Sequence, residues 1–441
     1  MSGMKRNLVL ALAVAAAVAA PSAFATYGYF SHGYGMKSKG MAGAVTALAD
    51  DTFGGANNPA SMVWVGNRVD FGLDWFSPDR SMERTGSTGA FPPNLNIDAT
   101  AVSDSTDFFI PEFGYNAMIN PDMSFGVTVY GNGGMNTNYP TGQIPGPGVC
   151  NAFGVAGTSF NALCGNTALG VDLMQLIIAP TFAYKITSNN SVGISPLLAY
   201  QKFKAEGLQA FDNPGFSSSP GNVTNNGYSG STGVGVRVGW LGKFTESFSA
   251  GAAYSSKITM SKFDKYKGLF AEEGQFDMPS NYNAGIALKA MPQMTFTLDY
   301  QVIKYSDSKA VNNPSTNTGL LGTDSGRGFG WDDVSVMKIG FEYKASSATT
   351  YRAGYGKTDN PIQSRDVTFN ILAPGVVEDH FTLGFTHALD KDSELTMAFM
   401  HASENSVSGN SLFSGLTGGN GGQETIKMSQ KSLGIGWGKK W

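Results

Sequence analysis

Few residues in this chain are of the types that carry out covalent or metal chemistry. The sequence contains four histidines: His32, His380, His387 and His401. No Ser, Asp or Glu stands near one of them at the spacing of a nucleophile with its base, and no His/Cys/Asp/Glu cluster has metal-ligand spacing. Asp324-Ser325-Gly326 has the composition of a turn, and Gly233-x-Gly235 lies in a strand pattern, unlike a phosphate loop. The sequence therefore predicts neither an enzyme nor a metal or cofactor site.

The first 25 residues have the pattern of a secretory signal. Lys5 and Arg6 give a positive start, an apolar core runs from Leu8 to Ala20, and Ala23-Phe24-Ala25 is a small-x-small cleavage site. The apolar core is too short for a membrane helix. We expect the mature chain to begin at Thr26 and to be exported.

The chain has two cysteines, Cys150 and Cys164. Export to an oxidising compartment favours a disulfide between them, closing a small loop. Two free thiols are the alternative.

The composition excludes several classes of protein. Charged residues make up 15% of the chain and 57 residues are Gly, whereas soluble proteins carry about 25% charge. No window of 18 apolar residues follows the leader, so membrane helices are excluded and a closed β-barrel is the remaining way to span a bilayer. The formal net charge of −4, with no basic cluster, argues against nucleic-acid binding.

Segments that alternate apolar and polar residues recur along the chain. Fourteen are predicted as strands, near 66–77, 107–119, 122–135, 171–187, 190–206, 228–243, 247–263, 276–290, 293–305, 332–344, 348–357, 377–389, 393–405 and 427–441. In the ninth, Phe296, Leu298 and Tyr300 share one face, with Thr297 and Asp299 opposite. Such dyads, apolar outward and polar inward, are typical of outer-membrane barrels.

The connections between these segments alternate in length. Short turns fall at 120–121, 188–189, 244–246, 291–292, 345–347 and 390–392; long loops fall at 78–106, 136–170, 207–227, 264–275, 306–331, 358–376 and 406–426. Bacterial barrels have short periplasmic turns, long extracellular loops and an even number of strands. The sequence therefore predicts an all-β, fourteen-stranded antiparallel transmembrane barrel over residues 66–441.

A short segment before the first strand, Met36 to Met62, has a different character. Its small residues predict a short helix that ends at Asp50 and Asp51, and Asn58-Pro59-Ala60 has the cap and first-position proline of a second helical turn. We interpret residues 26–65 as a hatch, a plug inside the barrel. It is the part of the mature chain predicted to have helical character.

The hatch resembles the start of the FadL-type long-chain fatty acid transporters of Gram-negative outer membranes, a family that includes toluene and xylene channels. The resemblance rests on GMAGA, ADD and NNPA in that order between Gly33 and Ala60. It continues in VDFGLDWFSPD from Val69, PDMSFGVTVYGNGG from Pro121 and NNSVGISPLLAYQKFKAE from Asn189, and covers essentially the whole mature chain.

The resemblance implies passive uptake of hydrophobic molecules. A ligand is caught among the outer loops, is held in an internal apolar pocket and leaves sideways where the third strand is kinked. An apolar ligand then avoids a water-filled lumen. Gly126, Gly131, Gly133 and Gly134 are the candidates for that kink, with Asn58, Pro59 and Ala60 packed against it. Alternatively, these glycines only form the top of the strand and its loop.

The resemblance also implies which residues contact the ligand. The aromatic mature terminus places Tyr27, Tyr29 and Phe30 in the pocket; packing of the hatch against the wall is the alternative. Rough alignment places Lys202 and Lys309 near basic contacts for a carboxylate. Lys202 shares its strand phase with Leu198 and Tyr200, which points it outward, and solvated lysines at the rim are the alternative for both.

Several questions stay open at this stage. The ligand is either a fatty acid or an aromatic hydrocarbon. A general porin and an adhesin are less favoured because neither needs a plug, and a barrel hydrolase is less favoured because no nucleophile and base stand at motif spacing. We expect a monomer that contacts outer-membrane lipid and lipopolysaccharide.

Overall fold

The computed structural model describes residues 26–88, 96–416 and 420–441. The predicted leader, residues 1–25, lies outside them. Fourteen antiparallel strands form a closed barrel, which confirms the predicted fold. They are β1 Arg68–Thr85, β2 Phe108–Asn120, β3 Met123–Asn136, β4 Gly170–Thr187, β5 Asn190–Glu206, β6 Ser229–Lys243, β7 Phe248–Ser255, β8 Asn281–Met291, β9 Met294–Ile303, β10 Val334–Lys344, β11 Thr349–Thr358, β12 Asp379–Ala388, β13 Ser393–Asn410 and β14 Gln423–Lys440.

Each strand pairs with its neighbour in sequence, and the barrel closes between the first and the last. β14 pairs with β1 from Arg68–Lys440 to Thr85–Gln423. The predicted alternation of short turns and long loops is confirmed. Among the described residues no helix combines the length and apolarity needed to cross a membrane.

Smaller elements lie in the loops and in the hatch. Short strands are Ala99–Val102, which pairs with β1, Thr259–Met260, which pairs with β6, and the pair Ile144–Pro145 and Ser159–Phe160. Helical turns are Met36–Lys39, Phe53–Gly55, Pro59–Trp64, Val149–Ala152, Gln209–Phe211, Asp264–Tyr266, Ala271–Gly274, Tyr305–Asp307, Lys309–Asn312, Ser364–Asp366, Val367–Asn370 and Phe413–Leu416. The outer loops thus also contain helical turns, contrary to the prediction that only the hatch would.

The strand residues follow the predicted inside–outside pattern. In β9, Phe296, Leu298 and Tyr300 are each more than 40% exposed, whereas Thr297 and Asp299 are buried. Apolar side chains cover the outer face because each is in contact with hydrocarbon there, while polar side chains on the inner face find partners in the hatch.

The hatch lies in the lumen and is fastened to the wall by polar contacts. Lys39 Nζ lies 2.7 Å from Asp74 Oδ2 of β1, and Lys37 Nζ lies 2.6 Å from Glu394 Oε1 of β13. Thr46 donates from its backbone N–H to Asp299 Oδ2 at 2.9 Å. Removing one partner of a buried ion pair typically costs about 3–5 kcal/mol, so the hatch is firmly held.

The helix predicted between Gly40 and the aspartates is shorter than expected. Only Met36–Lys39 is helical, and residues 40–52 form turns and bends separated by irregular backbone. Gly43 and Ala42 both have positive φ, which interrupts a helix. The second predicted turn is confirmed: Pro59–Trp64 is a 3₁₀ helix, and Asn58 Oδ1 accepts a hydrogen bond from the Ala60 N–H at 3.1 Å.

The outer loops pack into a cap over the barrel. At its centre Arg84 and Glu424, cross-strand partners in β1 and β14, form a fully buried ion pair with an N–O distance of 2.6 Å. Glu424 also accepts hydrogen bonds from Ser411 Oγ and Thr368 Oγ1, and Arg84 donates to the Ala162 carbonyl at 2.9 Å. Segments from three loops therefore contact this one ion pair.

The predicted disulfide is present between Cys150 and Cys164, both fully buried. The two cysteines are 14 positions apart in the sequence, and the disulfide closes a small loop within the cap. In the chain-entropy description, closing a loop of this size raises the free energy of unfolding by roughly 3 kcal/mol.

Replacing Cys150 with Ser should expose one titratable thiol and make the 137–169 loop more sensitive to protease, while the barrel stays folded. Maleimide labelling in denaturant without reductant measures this. Labelling of the unreduced wild-type protein would contradict the disulfide.

Candidate functional site: two cavities and a break in the wall

The wall is discontinuous between β2 and β3. Their ladder starts at the periplasmic turn and ends at the pair Phe113–Val129. Beyond it, Phe108–Glu112 pairs with β1, and Tyr130–Asn136 pairs with β4, through Asn136–Asp172. Beyond this pair, the facing edges of β2 and β3 are therefore not paired with each other.

A bulge in β3 lies beside this break. Gly131 pairs with Leu176 and Gly133 with Gln175, so Asn132 is an extra residue on β3. A bulge bends its strand and disrupts the ladder locally. Asn132 is buried and donates from Nδ2 to Gln175 Oε1 at 3.0 Å. The bulge is thus the structural reason why β3 turns away from β2.

The mature amino terminus covers the break from the inside. Phe30 forms a β-bridge with Gly133, and the Gly134 N–H donates to the Tyr29 carbonyl at 3.2 Å. A Cβ on Gly133 would lie 1.9 Å from that carbonyl oxygen, so only glycine permits this approach.

Phe113 covers the break from the lipid side. Phe109, four residues earlier on the same face, is 51% exposed, but Phe113 is only 4% exposed. Its side chain packs in a cluster with Val129 of β3 and Leu176 of β4. The break is closed on both sides in this structure.

Tyr29 and Phe30 belong to an aromatic cluster in the upper lumen. The centroid of the Tyr29 ring lies 5.3 Å from that of Tyr305 and 5.9 Å from that of Trp331. Tyr27 is also fully buried and donates from its hydroxyl to the Ala42 carbonyl at 3.3 Å. Burial raises the pKa of Tyr27 above its usual value, so this phenol stays protonated.

An inner cavity of about 590 Å³ lies between this cluster and the hatch. Phe30, Tyr130, Ile177 and Met278 are among its apolar lining residues, and its polar lining includes Arg237 and Lys338. No Asp or Glu lines it within the described part of the chain. The inner cavity therefore combines apolar walls with positive charge.

Neither cation of the inner cavity forms an ion pair with a residue that the structure describes. Arg237 donates to the Asn57 carbonyl and to Asn283 Oδ1, both at 2.9 Å. Lys338 Nζ lies 5.0 Å from the centroid of the Tyr27 ring. Burial lowers the pKa of His32 well below its usual value, and Lys39 adds to the effect, so His32 contributes no charge.

An outer cavity of about 470 Å³ lies in the cap. Its lining is apolar apart from one arginine: Val171, Phe203, Leu208, Phe211, Leu269, Phe270, Ala310, Leu321, Arg327, Gly328, Phe329, Phe369 and Leu372.

A family model described as Outer membrane protein transport protein (OMPP1/FadL/TodX) matches residues 12–437. The chain belongs to this family. The members of the FadL/TodX family are outer-membrane transport channels for hydrophobic compounds, not enzymes, and this assigns the chain to the outer membrane of a Gram-negative bacterium. The resemblance inferred from the hatch and strand motifs is confirmed.

Solved structures support the same fold. The P. putida toluene transporter TodX is 19% identical, with a TM-score of 0.66, over 93% of this chain and 99% of that one. The Ralstonia pickettii toluene transporter TbuX is 18% identical, with a TM-score of 0.62 and coverages of 93% and 99%. A Pseudomonas aeruginosa FadL homologue is 14% identical, with a TM-score of 0.65 and coverages of 94% and 99%. No curated protein sequence matches.

Not all sequence-predicted residues come together in the FadL/TodX-type site. Gly131 lies at the bulge, but Gly126 pairs regularly with Asn116 and contacts Met62 of the hatch. Asn58, Pro59 and Ala60 were expected beside the kink and instead contact β5 and β6. Asn58 Nδ2 donates to the Trp240 carbonyl at 2.9 Å, and Ser191 Oγ donates to the Ala60 carbonyl at 2.8 Å.

The two predicted lysine contacts lie away from the aromatic cluster. Lys202 is on the outer wall, with its Nζ 4.6 Å from the ring centroid of Tyr228. Lys309 is exposed in a loop and pairs with Glu272 at 3.0 Å and Asp324 at 3.2 Å. Neither lysine lines the inner or the outer cavity, so their predicted role is not supported by their positions.

Sequence reasoning missed Arg237 and Lys338. Each is a lone cation on the inward phase of a strand: Val236 and Val238 flank Arg237, and Met337 and Ile339 flank Lys338. A charge placed there inside an apolar strand is the signal that would have identified them.

Proposed function

We propose that this FadL/TodX-family protein takes up hydrophobic small molecules, long-chain fatty acids or related hydrocarbons, by passive diffusion. A ligand enters the outer cavity, passes the aromatic cluster to the inner cavity and leaves through the break between β2 and β3 into the membrane. The protein acts as a monomer surrounded by outer-membrane lipid and lipopolysaccharide. The observation that carries the proposal is the ladder that ends at Phe113–Val129 beside the bulge.

The outer cavity, the inner cavity beside the aromatic cluster, and the break between β2 and β3 form a physical route for an apolar ligand. Apolar walls in the outer cavity favour transfer of an apolar ligand from water by about 25 cal/mol per Å² buried. The Tyr29–Phe30 segment lines both the inner cavity, through Phe30, and a smaller cavity beside Trp331, through Tyr29. Displacing this segment from Gly133 would connect the inner cavity to the edge of β3.

An aromatic hydrocarbon is the second candidate ligand. The rings of Tyr29, Tyr305 and Trp331 offer faces and edges to a small aromatic molecule, and two of the structurally similar proteins are described as toluene transporters. Labelled toluene and labelled hexadecanoate, offered separately, distinguish the two.

Uptake by cells that lack their own hydrophobic channels tests the proposal. Cells that produce this protein should accumulate one of the hydrophobic probes faster than cells without it, and a labelled hexose no faster. Equal enhancement for the hexose would identify a general porin and overturn the proposal.

A matched pair of leucine substitutions tests the outer cavity. Leu269 lines it and is half-buried, whereas Leu320 is in the same cap, is 37% exposed and is not among its lining residues. Leu269→Ser should reduce uptake at low probe concentration by about threefold to tenfold, since part of the apolar contact is lost. Leu320→Ser should leave it unchanged; equal rates for both variants would exclude capture in this cavity.

A further inference from the structure

One charged side chain lies in the lining of the outer cavity. Among the described lining residues Arg327 alone is ionisable, and the others are apolar or glycine. A guanidinium beside apolar walls loses hydration, and such a group is normally compensated by an acidic partner. The neighbours of the Arg327 guanidinium therefore determine which ligands the outer cavity can bind.

Arg327 has no such partner in the part of the chain that the structure describes. In its own loop, Asp324 pairs with Lys309 at 3.2 Å and Asp333 pairs with Lys304. Asp332 of the same loop is exposed and forms no ion pair with Arg327. Arg327 itself forms no ion pair or hydrogen bond with a described residue. Burial lowers its pKa from the usual value, and no neighbouring carboxylate offsets this.

The backbone that carries Arg327 is fixed on both sides. The Gly326 carbonyl accepts from Asn313 Nδ2 at 2.8 Å and from Asn317 Nδ2 at 3.1 Å. The Phe329 carbonyl accepts from Asn370 Nδ2 at 2.7 Å. Arg327 is thus held at the cavity by a preorganised loop, which lowers the entropic cost of binding a ligand there.

We propose that Arg327 binds the carboxylate of an amphipathic ligand whose apolar chain occupies the outer cavity. This deepens the proposed function, on which it rests, because it makes the capture step selective for carboxylic acids over uncharged hydrocarbons of equal length. Arginine presents two parallel donors that match a carboxylate. An uncharged ligand would exclude water from the guanidinium without replacing its hydrogen bonds, at a cost in free energy.

The test compares uptake of dodecanoate and 1-dodecanol, which share an alkyl chain, at pH 8 and over a range of concentrations. Arg327→Gln should raise the half-saturating concentration for dodecanoate by about tenfold, leave its maximal rate unchanged and leave dodecanol unaffected. Arg327→Lys, which keeps the charge and loses the paired donors, should fall between wild type and Arg327→Gln. Because Arg327 is in a partly exposed loop position, all variants should fold.

The control is Lys265→Gln, which removes an exposed cation from an adjacent loop. It should behave as wild type for both probes. A dodecanoate preference that survives Arg327→Gln, or that is lost equally in Lys265→Gln, would overturn the role of Arg327. Equal uptake of both probes by wild type would overturn the selectivity while leaving the transport proposal intact. No uptake of either probe would overturn both.

Discussion

Deleting Asn132 should yield a protein that still forms a barrel and no longer takes up hydrophobic compounds. Asn132 is the extra residue of the β3 bulge, and its removal lets Gly131 and Gly133 follow each other in register with Leu176 and Gln175. A regular β3 can then continue its ladder with Phe108–Glu112 of β2. The break in the wall would be sealed.

The expected loss is large because opening a continuous ladder requires breaking hydrogen bonds. Each contributes about 0.5–1.5 kcal/mol net in water, and more in hydrocarbon, where the freed groups find no partner. Two or three additional bonds would slow lateral passage by at least about tenfold, and a full ladder would reduce uptake to background.

The chain offers a matched control in a second bulge. In β13, four strands from β3 around the barrel, the register shifts between Ala402 and Asn405. Deleting Ser403 there shortens the chain by the same one residue and should leave uptake unchanged. Slower migration after boiling in electrophoresis verifies that each barrel had folded. Normal uptake by a folded variant without Asn132 would eliminate the lateral route.

Replacing Asn58 with Ala should release the hatch and make the barrel leak ions. Asn58 is fully buried, and its side chain makes three hydrogen bonds: Nδ2 donates to the Thr46 carbonyl at 2.8 Å and to the Trp240 carbonyl at 2.9 Å, and Oδ1 accepts from the Ala60 N–H. Each buried polar group left without a partner costs about 1–3 kcal/mol. The hatch conformation would lose several kcal/mol.

Conductance in planar bilayers measures the effect. Asn57→Ala is the matched control, since Asn57 is the neighbouring residue and its side chain makes one hydrogen bond, to the Tyr34 carbonyl at 2.9 Å. It should conduct far less than Asn58→Ala. Asn58→Asp retains the cap acceptor and loses both donors, so it should conduct like Asn58→Ala. Wild-type conductance in Asn58→Ala would show that other contacts hold the hatch.

Most strand boundaries could be predicted within a few residues because a barrel wall between lipid and a polar lumen imposes a strict period of two. The first strand shows where this fails. It was expected to end at Ser77, before Pro78, but it continues to Thr85. Beyond Phe76 β1 no longer pairs with β2, so Pro78 lies at a partial edge, where a missing N–H is tolerated.

The site was only partly predictable. Tyr29 and Phe30 were placed correctly in the lumen because a family resemblance located the amino terminus, although their ligand contact stays a prediction. Arg327 could not be found from local sequence, since its cavity is assembled from loops that are distant in the chain, including Phe203 and Leu372. Tertiary packing of the cap, unlike strand alternation, leaves no periodic signal.

The buried pair of Arg84 and Glu424 has a consequence for the order of assembly. The two residues are 340 positions apart and come together only when the last strand joins the first. Thr368 and Ser411, from two further loops, hydrogen-bond to the same carboxylate. Such non-local contacts form late in folding, after local hairpins. The cap, and the outer cavity within it, therefore matures only as the barrel closes, so an open, partly inserted intermediate would not yet capture ligand.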